Sequence, residues 1–391
     1  MNVLFITSWY PREDNSVSGV FVREHAKAVS LIDRIAVLYG YQSDKVKRLY
    51  EVDIENESNL KIFRIRYKKL PKILSNILYL YSMFRAFQKI RKQFKPDIIH
   101  AHVYMSGFLG IIFGKLYNIP VIITDHAEIL EKPDSKKQKL KNIAKMLIAR
   151  FALSNAQLLL PASKSLRRHI ESLGIQNDFK ILPNIVDTEI FYPVSKEHRN
   201  IKKILFVGRL HPVKGIEYLL DALGELRKKR DDFELDIVGY GAYEDEYKKK
   251  ALDLGLSKKV KFHGKKTKTE VAKFMQECDF LVFPSLVIPN IEEGWGIVLV
   301  EALACGRPVV TTTSECEAGE IGIKEYGILV PPRDTNSLLK AIDYMLDNYY
   351  KYPSEEVVRY VRRYLSPEAI GKMLHRIYVE VAEKYRGINK N

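Results

Sequence analysis

Cysteine is scarce: three in 391 residues, Cys278, Cys305 and Cys316, none at metal-ligand spacing. An odd, sparse set in a chain this long speaks against a disulfide framework and for reduced thiols in a cytosolic compartment. Long apolar runs are lacking too. The most apolar stretch, Val103 to Ile123, is broken by Lys115 and Pro120, so no uninterrupted span of about 20 residues is available to cross a bilayer. The opening MNVLFITSWYP has no basic segment or cleavage site, and it is expected to be a first strand rather than a signal peptide. Low-complexity tracts, short-period repeats, zinc fingers and RNP signatures are also missing. A net charge of +15 and a pI near 9.4 therefore point to anionic lipid or phosphorylated substrates more than to nucleic acid. What is present, 46% hydrophobic and 28% charged residues, describes a globular chain too long for one core.

Strand and helix signals alternate through the first half. Strands are expected at Val3–Thr7, Ile35–Tyr39, Leu60–Arg66, Asp97–Ala101, Val121–Thr124, Gln157–Pro161 and Lys180–Leu182, with helical patterns between them. The pattern pauses at NIVDTEIFYP (184–193), then a second series begins with strand Lys203–Val207 and ends with helix Asn336–Asn348. The final helix, Pro367–Lys384, follows after the second sheet is complete. This periodicity predicts two doubly wound parallel-sheet units, with ligands at the carboxyl ends of the strands.

The most informative stretch is Pro284 to Thr313, PSLVIPNIEEGWGIVLVEALACGRPVVTTT. Ile297 to Cys305 reads as a helix apolar on all sides, with Glu301 as its only charge, stopped by Gly306 and Pro308. A carboxylate inside such a helix needs partners. Eight positions earlier, Glu293 stands in a Glu-Gly-Trp-Gly loop whose glycines allow close backbone approach. Carboxylates, loop N–H groups and a helix N-terminus suit a ligand bearing hydroxyls and phosphates. An ordinary αβ unit, with Glu293 in solvent and Glu301 in a core ion pair, is the alternative on these residues alone. At the start of the second series, Gly208-Arg209-Leu210-His211-Pro212-Val213-Lys214-Gly215 sets two cations at a strand end, where they either clamp a diphosphate or sit in solvent.

Glu293-Gly-Trp-Gly-Ile-Val-Leu-Val-Glu301, running into Ala-Leu-Ala-Cys-Gly-Arg-Pro-Val-Val, resembles the signature of the retaining glycosyltransferases of family 4, which have the GT-B fold. The resemblance covers nearly the whole chain. It implies two Rossmann-like domains facing a cleft: residues 1–190 on the acceptor side, 191–366 on the donor side, and a C-terminal helix (367–391) crossing back to the first. GRLxxxKG is the family's pyrophosphate motif, so Arg209 and Lys214 would stabilise the leaving nucleoside diphosphate without a metal, and no cofactor is expected beyond the nucleotide-sugar co-substrate. Glu301 would bind ribose hydroxyls. Glu293, with Gly294, Trp295 and Gly296, would hold the donor sugar, and the N–H groups of Ile297 and Val298 the β-phosphate. Phe262-His263-Gly264-Lys265 resembles the turn that contacts the nucleobase. Gly19, in Ser18-Gly19 where many members have two glycines, would face the donor phosphate. His126, in TDHAE after a strand, would sit by the reacting sugar in a positioning and electrostatic role, with Asp125 pointing the other way. Asn184 belongs to PNIVD, similar to an interdomain PNGVD, and reads as a hinge without chemistry.

From Asn59 to Pro96 there is no Asp or Glu, while eleven cations alternate with aromatics. On Lys72–Phe94, Ile73, Ile77, Leu80, Phe84 and Phe87 share helical spacing and Arg85, Lys89 and Lys92 another face. Segment 136–150 is also basic and acid-free. Either the apolar stripes pack on the sheet and the cations are solvated, or these segments dock on anionic lipid, which would suit a lipid-linked acceptor. The expected function is transfer of a hexose from a UDP- or GDP-sugar to a lipid-linked or glycan acceptor. The expected place is the cytoplasm or the inner face of its membrane. A sugar-nucleotide epimerase of the same fold, or a non-catalytic basic surface-binding protein, are the alternatives.

Overall fold

The computed structural model describes residues 1–15, 18–57, 59–125, 136–195, 199–286, 296–313 and 323–388, without the side chains of 136–141, 165, 323, 324 and 388. The chain divides into two units, Met1–Ile185 with Pro367–Asn391, and Val186–Ser366. The changeover falls at 185/186, five residues before the expected 190/191.

The first unit runs β1 (Asn2–Thr7), α1 (Val20–Ser30), β2 (Arg34–Gln42), β3 (Tyr50–Glu57), β4 (Leu60–Tyr67), α2 (Lys72–Phe94), β5 (Ile98–His102), α3 (Tyr104–Tyr117), β6 (Val121–Asp125), α4 (Lys136–Asn155), β7 (Leu158–Pro161) and α5 (Lys164–Ser172). Its sheet has the order β3-β4-β2-β1-β5-β6-β7, parallel except for β3. Continuous apolar runs such as NVLFIT make strands covered on both faces. One face carries α2 to α5, the other α1 and the last helix, α13 (Pro367–Ile388). β3 was not expected, because YEVDIENE is acidic and reads as solvent. Antiparallel pairing sets Glu51 and Asp53 opposite Arg66 and Arg64 of β4 and Glu55 diagonal to Arg64, with Arg66–Asp53 at 2.5 Å, Arg66–Glu51 at 3.1 Å and Arg64–Glu55 at 3.0 Å. Lys180–Leu182, expected as a strand, only makes two backbone bonds to β7, from Lys180 N and Leu182 N.

α13 is tied to the first unit by close approach and by polar contacts. A Cβ at Gly371 would stand 2.3 Å from the carbonyl oxygen of Ala28 on α1, so the two helices cross with nothing between their backbones. Asp33 accepts from the Met1 ammonium (2.6 Å) and lies 2.9 Å from His375 Nδ1. Tyr378 Oη lies 2.8 Å from His100 Nδ1, and His100 Nε2 lies 2.6 Å from Thr124 Oγ1. Burial pushes the pKa of His100 well down and that of His25 to about 4, so both rings are neutral in the core.

The second unit runs β8 (Lys202–Val207), α6 (Ile216–Leu226), β9 (Phe233–Val238), α7 (Glu244–Asp253), β10 (Val260–Phe262), α8 (Lys268–Glu277), β11 (Phe280–Phe283), α9 (Ile297–Ala304), β12 (Val309–Thr312), α10 (Ile323–Tyr326), β13 (Gly327–Val330), α11 (Thr335–Asn348) and α12 (Ser354–Leu365). Its sheet is wholly parallel in the order β10-β9-β8-β11-β12-β13, over one continuous apolar core. Both sheets turn back on their first strand, β1 and β8.

Gly371→Ala is expected to lower the stability of the first unit by about 1–3 kcal/mol, because a methyl group must push two helix backbones apart. Gly387→Ala, with open space around its Cβ, should leave the melting temperature unchanged.

Candidate functional site at the carboxyl edge of the second sheet

Strand order reverses between β8 and β11, where a doubly wound sheet opens a crevice at its carboxyl edge. The loop after β8 is shaped by three contacts. His211 Nδ1 accepts from Val213 N at 3.2 Å and caps a single 3-10 turn, Pro212–Lys214. The Val213 carbonyl accepts from Leu286 N at 2.7 Å and from Ser285 Oγ at 3.3 Å, which binds the turn to the end of β11. Gly215 has φ +67°, and a Cβ there would lie 2.0 Å from the carbonyl oxygen of Pro284. Thr312 Oγ1 in turn donates to Ser285 O, holding that segment to β12.

These contacts decide where the two cations go. Lys214 is buried, with its ammonium 4.6 Å from the centroid of the Phe283 ring. Arg209 is exposed and makes no side-chain hydrogen bond or ion pair among the described residues, so its planar fork is available. Neighbouring loops close over this one. Gly239 N donates to Gly264 O, and a Cβ at Gly239 would fall 1.8 Å from Gly208 O. Gly264 has φ +67° and open space beyond it, and Lys265 places its ammonium 5.2 Å from the Tyr240 ring. His263 Nε2 beside them lies 2.6 Å from Asp236 Oδ1.

α9 begins at the same edge. Among the described residues no side chain caps it, and the N–H groups of Ile297 and Val298, just after Gly296, stand outside its own hydrogen-bond ladder. Glu301 follows one turn later. Burial pushes its pKa up to about 7, with Lys268 pulling down and Asp187 pushing up. Lys268 and Asp187 are themselves 3.5 Å apart. Asp187 also accepts from Glu189 N and Ile190 N, which makes PNIVD more than the plain hinge expected. The two cysteines here are inert: Cys278 and Cys305 are buried thiols, Cys278 Sγ donates to Met275 O, and burial pushes the Cys305 thiol to about 12. Glu293, Gly294 and Trp295 lie outside the described residues, as do Cys316 and His126, which follows the last residue of β6.

In the first unit, Gly19 has φ +66° at the start of α1, and a Cβ there would lie 2.3 Å from the backbone of Trp9. Only glycine fits this position. Ser8 Oγ and Ser106 Oγ, 2.9 Å apart, join the loop after β1 to α3. The sequence reading missed one feature, Val103, a β-branched residue at φ +62° between β5 and α3. Such strain gathers at functional edges, and nothing in residue type announces it.

Glu301 generates a stability prediction. Its folded pKa lies above the usual carboxylate value, so the stability it contributes is present below about pH 4.5 and is lost as pH rises to about 7. Between pH 4.5 and 8, Glu301→Gln should therefore gain on the wild type by on the order of 3 kcal/mol, read by chemical denaturation across pH. Parallel pH profiles would show that the carboxyl is solvated.

Comparison with known proteins shows the family and the fold. The family described as Glycosyl transferases group 1 matches residues 187–363, and Glycosyltransferase Family 4 matches 37–190. An uncharacterized glycosyltransferase of Methanocaldococcus jannaschii is 28% identical over 351 residues, 89% of each chain. A D-inositol 3-phosphate glycosyltransferase of Paenarthrobacter aurescens is 28% identical over 311 residues, 72% of each. Among solved structures, sucrose-phosphate synthase from Thermosynechococcus elongatus aligns with a TM-score of 0.74 at 19% identity, covering 97% of this chain and 99% of that one. Anabaena HepE in complex with UDP aligns at 0.71 and 17%, covering 97% and 100%. With two family matches that together reach from residue 37 to 363, on paired parallel-sheet units of the GT-B kind, the chain belongs to the family 4 glycosyltransferases.

Proposed function

We propose that this glycosyltransferase moves a hexose from a UDP- or GDP-linked donor to a hydroxyl of a lipid-linked or glycan acceptor, with retention of anomeric configuration and without a metal. The observation that carries this reading is the convergence, at one strand-order reversal, of exposed Arg209, buried Lys214 and the N-terminus of α9. A leaving diphosphate needs charge neutralised as it departs, and preorganised cations and N–H groups do this where a metal would otherwise be required. Arg209 and Lys214 take the diphosphate, the N–H groups of Ile297 and Val298 the β-phosphate, and Gly264 and Lys265 the base. Glu301 accepts from ribose hydroxyls. Those donors favour its charged form, so donor binding would draw its pKa down from about 7.

In this reading Glu293 with Gly294–Gly296 is assigned to the sugar, Gly19 to the donor phosphate, and His126 to a positioning and electrostatic role in the reaction at the anomeric carbon. The bond from that carbon to the β-phosphate oxygen breaks as the acceptor oxygen attacks from the same face, and the departing phosphate takes the acceptor proton. Two relationships support the donor class. Solved structures of HepE hold UDP with glucose, and UDP-glucose. Named relatives include D-inositol 3-phosphate glycosyltransferases and glycogen synthases.

Thermal melting with UDP, GDP, ADP and dTDP tests the reading. A nucleotide at about 100 times its dissociation constant adds roughly 2.7 kcal/mol of stability. UDP or GDP should raise the melting temperature of the wild type and not of Arg209→Ala, which replaces an exposed side chain and should fold normally. No shift with any nucleotide would refute the donor site.

A further inference from the structure

A helix lying on a sheet needs one apolar face, and α2 has two. Its inner face, including Leu78, Met83, Ala86 and Ile90, is buried, and Phe87 stacks on Phe113 of α3 with centroids 4.2 Å apart. Its outer side exposes Ile73, Leu74, Ile77, Leu80, Tyr81 and Phe84, with Ile73 77% and Ile77 57% accessible. At about 100° per residue these six fall within one sector of roughly 120°. The stripe that sequence spacing picked out therefore splits: Phe87 goes to the core, and Ile73, Ile77, Leu80 and Phe84 face water. α4, in the same helical layer, exposes Ile143, Leu147 and Phe151 one turn apart. Because α2 leaves the end of β4, its apolar first half stands by the carboxyl edge of the first sheet.

The charges around this stripe identify what covers it. Arg64 and Arg66, counted among the cations in sequence, are neutralised by the acids of β3. Lys68, Lys69 and Lys72 at one end, and Arg85, Lys89, Lys92 and Lys95 at the other, have no ion pair among the described residues. A second copy laid on the same patch would oppose like charges across a two-fold interface. A soluble polyanion would satisfy the lysines and leave six large apolar side chains in water. A bilayer with anionic headgroups meets both needs, phosphates for the cations and an acyl boundary for the stripe. No helix among the described residues is long and apolar enough to cross a membrane, so the contact lies in the interface.

We propose that the outer face of α2, extended by α4, docks this protein on an anionic phospholipid surface, with Ile73 to Phe84 entering the headgroup region. Docking is independent of the donor chemistry. If the transferase reading also holds, it brings the carboxyl edge of the first unit to where a lipid-borne acceptor is found.

Flotation of the full chain with phosphatidylcholine vesicles, with and without one part phosphatidylglycerol, tests the surface. The wild type should float with the anionic vesicles alone, less so as salt rises. Ile77→Ser/Leu80→Ser should cut partitioning about tenfold or more, and Lys69→Gln/Lys72→Gln about 30-fold. All four side chains are exposed, so both variants should keep the wild-type melting temperature and nucleotide response. Equal recovery with both vesicle types would overturn the proposal. So would an unchanged serine variant, which would mean a purely electrostatic polyanion surface, or a solution dimer that the serine variant dissociates.

Discussion

The candidate site of the second unit depends on residue 215 having no side chain. The turn that carries Lys214 is pressed so closely on the end of β11 that a methyl at Gly215 would meet the Pro284 carbonyl at 2.0 Å. That contact makes a flexible basic loop into a fixed one, and it is why one cation is buried against Phe283 while the other remains in solvent. A fixed cation costs no reorganisation when charge develops near it, which is the physical content of electrostatic catalysis. Gly239 and Gly264 extend the same logic to the neighbouring loops, where backbone lies on backbone.

Glu301 shows the opposite arrangement, a charge kept in balance rather than fixed. Burial pushes its proton on, Lys268 draws it off, and Asp187 opposes the lysine's effect while pairing with it at 3.5 Å. A carboxyl with a pKa near 7 is sensitive to what binds it, and ribose hydroxyls are the sort of donors that fix its charged state. Segment 184–190 thus contributes electrostatics as well as connection.

Legibility in sequence followed the strength of the local signal. Continuous apolar runs gave β1, β8 and β11, and helical periodicity gave α2 to the residue, since these patterns are set by burial. β3 escaped because its acids are satisfied across strands by Arg64 and Arg66, pairs that do not show along the chain. Arg209, Lys214, Gly19, Gly264 and Glu301 were nameable from motifs, but which cation is buried and how far the Glu301 pKa rises are properties of packing. The periodicity of Ile73, Ile77, Leu80 and Phe84 was legible while its direction stayed open between sheet and solvent, because spacing fixes which residues share a face and not what that face meets. Val103 gave no signal at all.

The central claim is that the reversal between β8 and β11 is a nucleoside diphosphate site. A crystal structure with UDP or GDP bound, whichever stabilises the protein, tests it most directly. The account predicts the diphosphate at the start of α9, within hydrogen-bond reach of Ile297 and Val298 N–H and between Arg209 and Lys214, with the ribose hydroxyls on Glu301. A nucleotide held anywhere else, or a diphosphate that Arg209 and Lys214 do not touch, would contradict it.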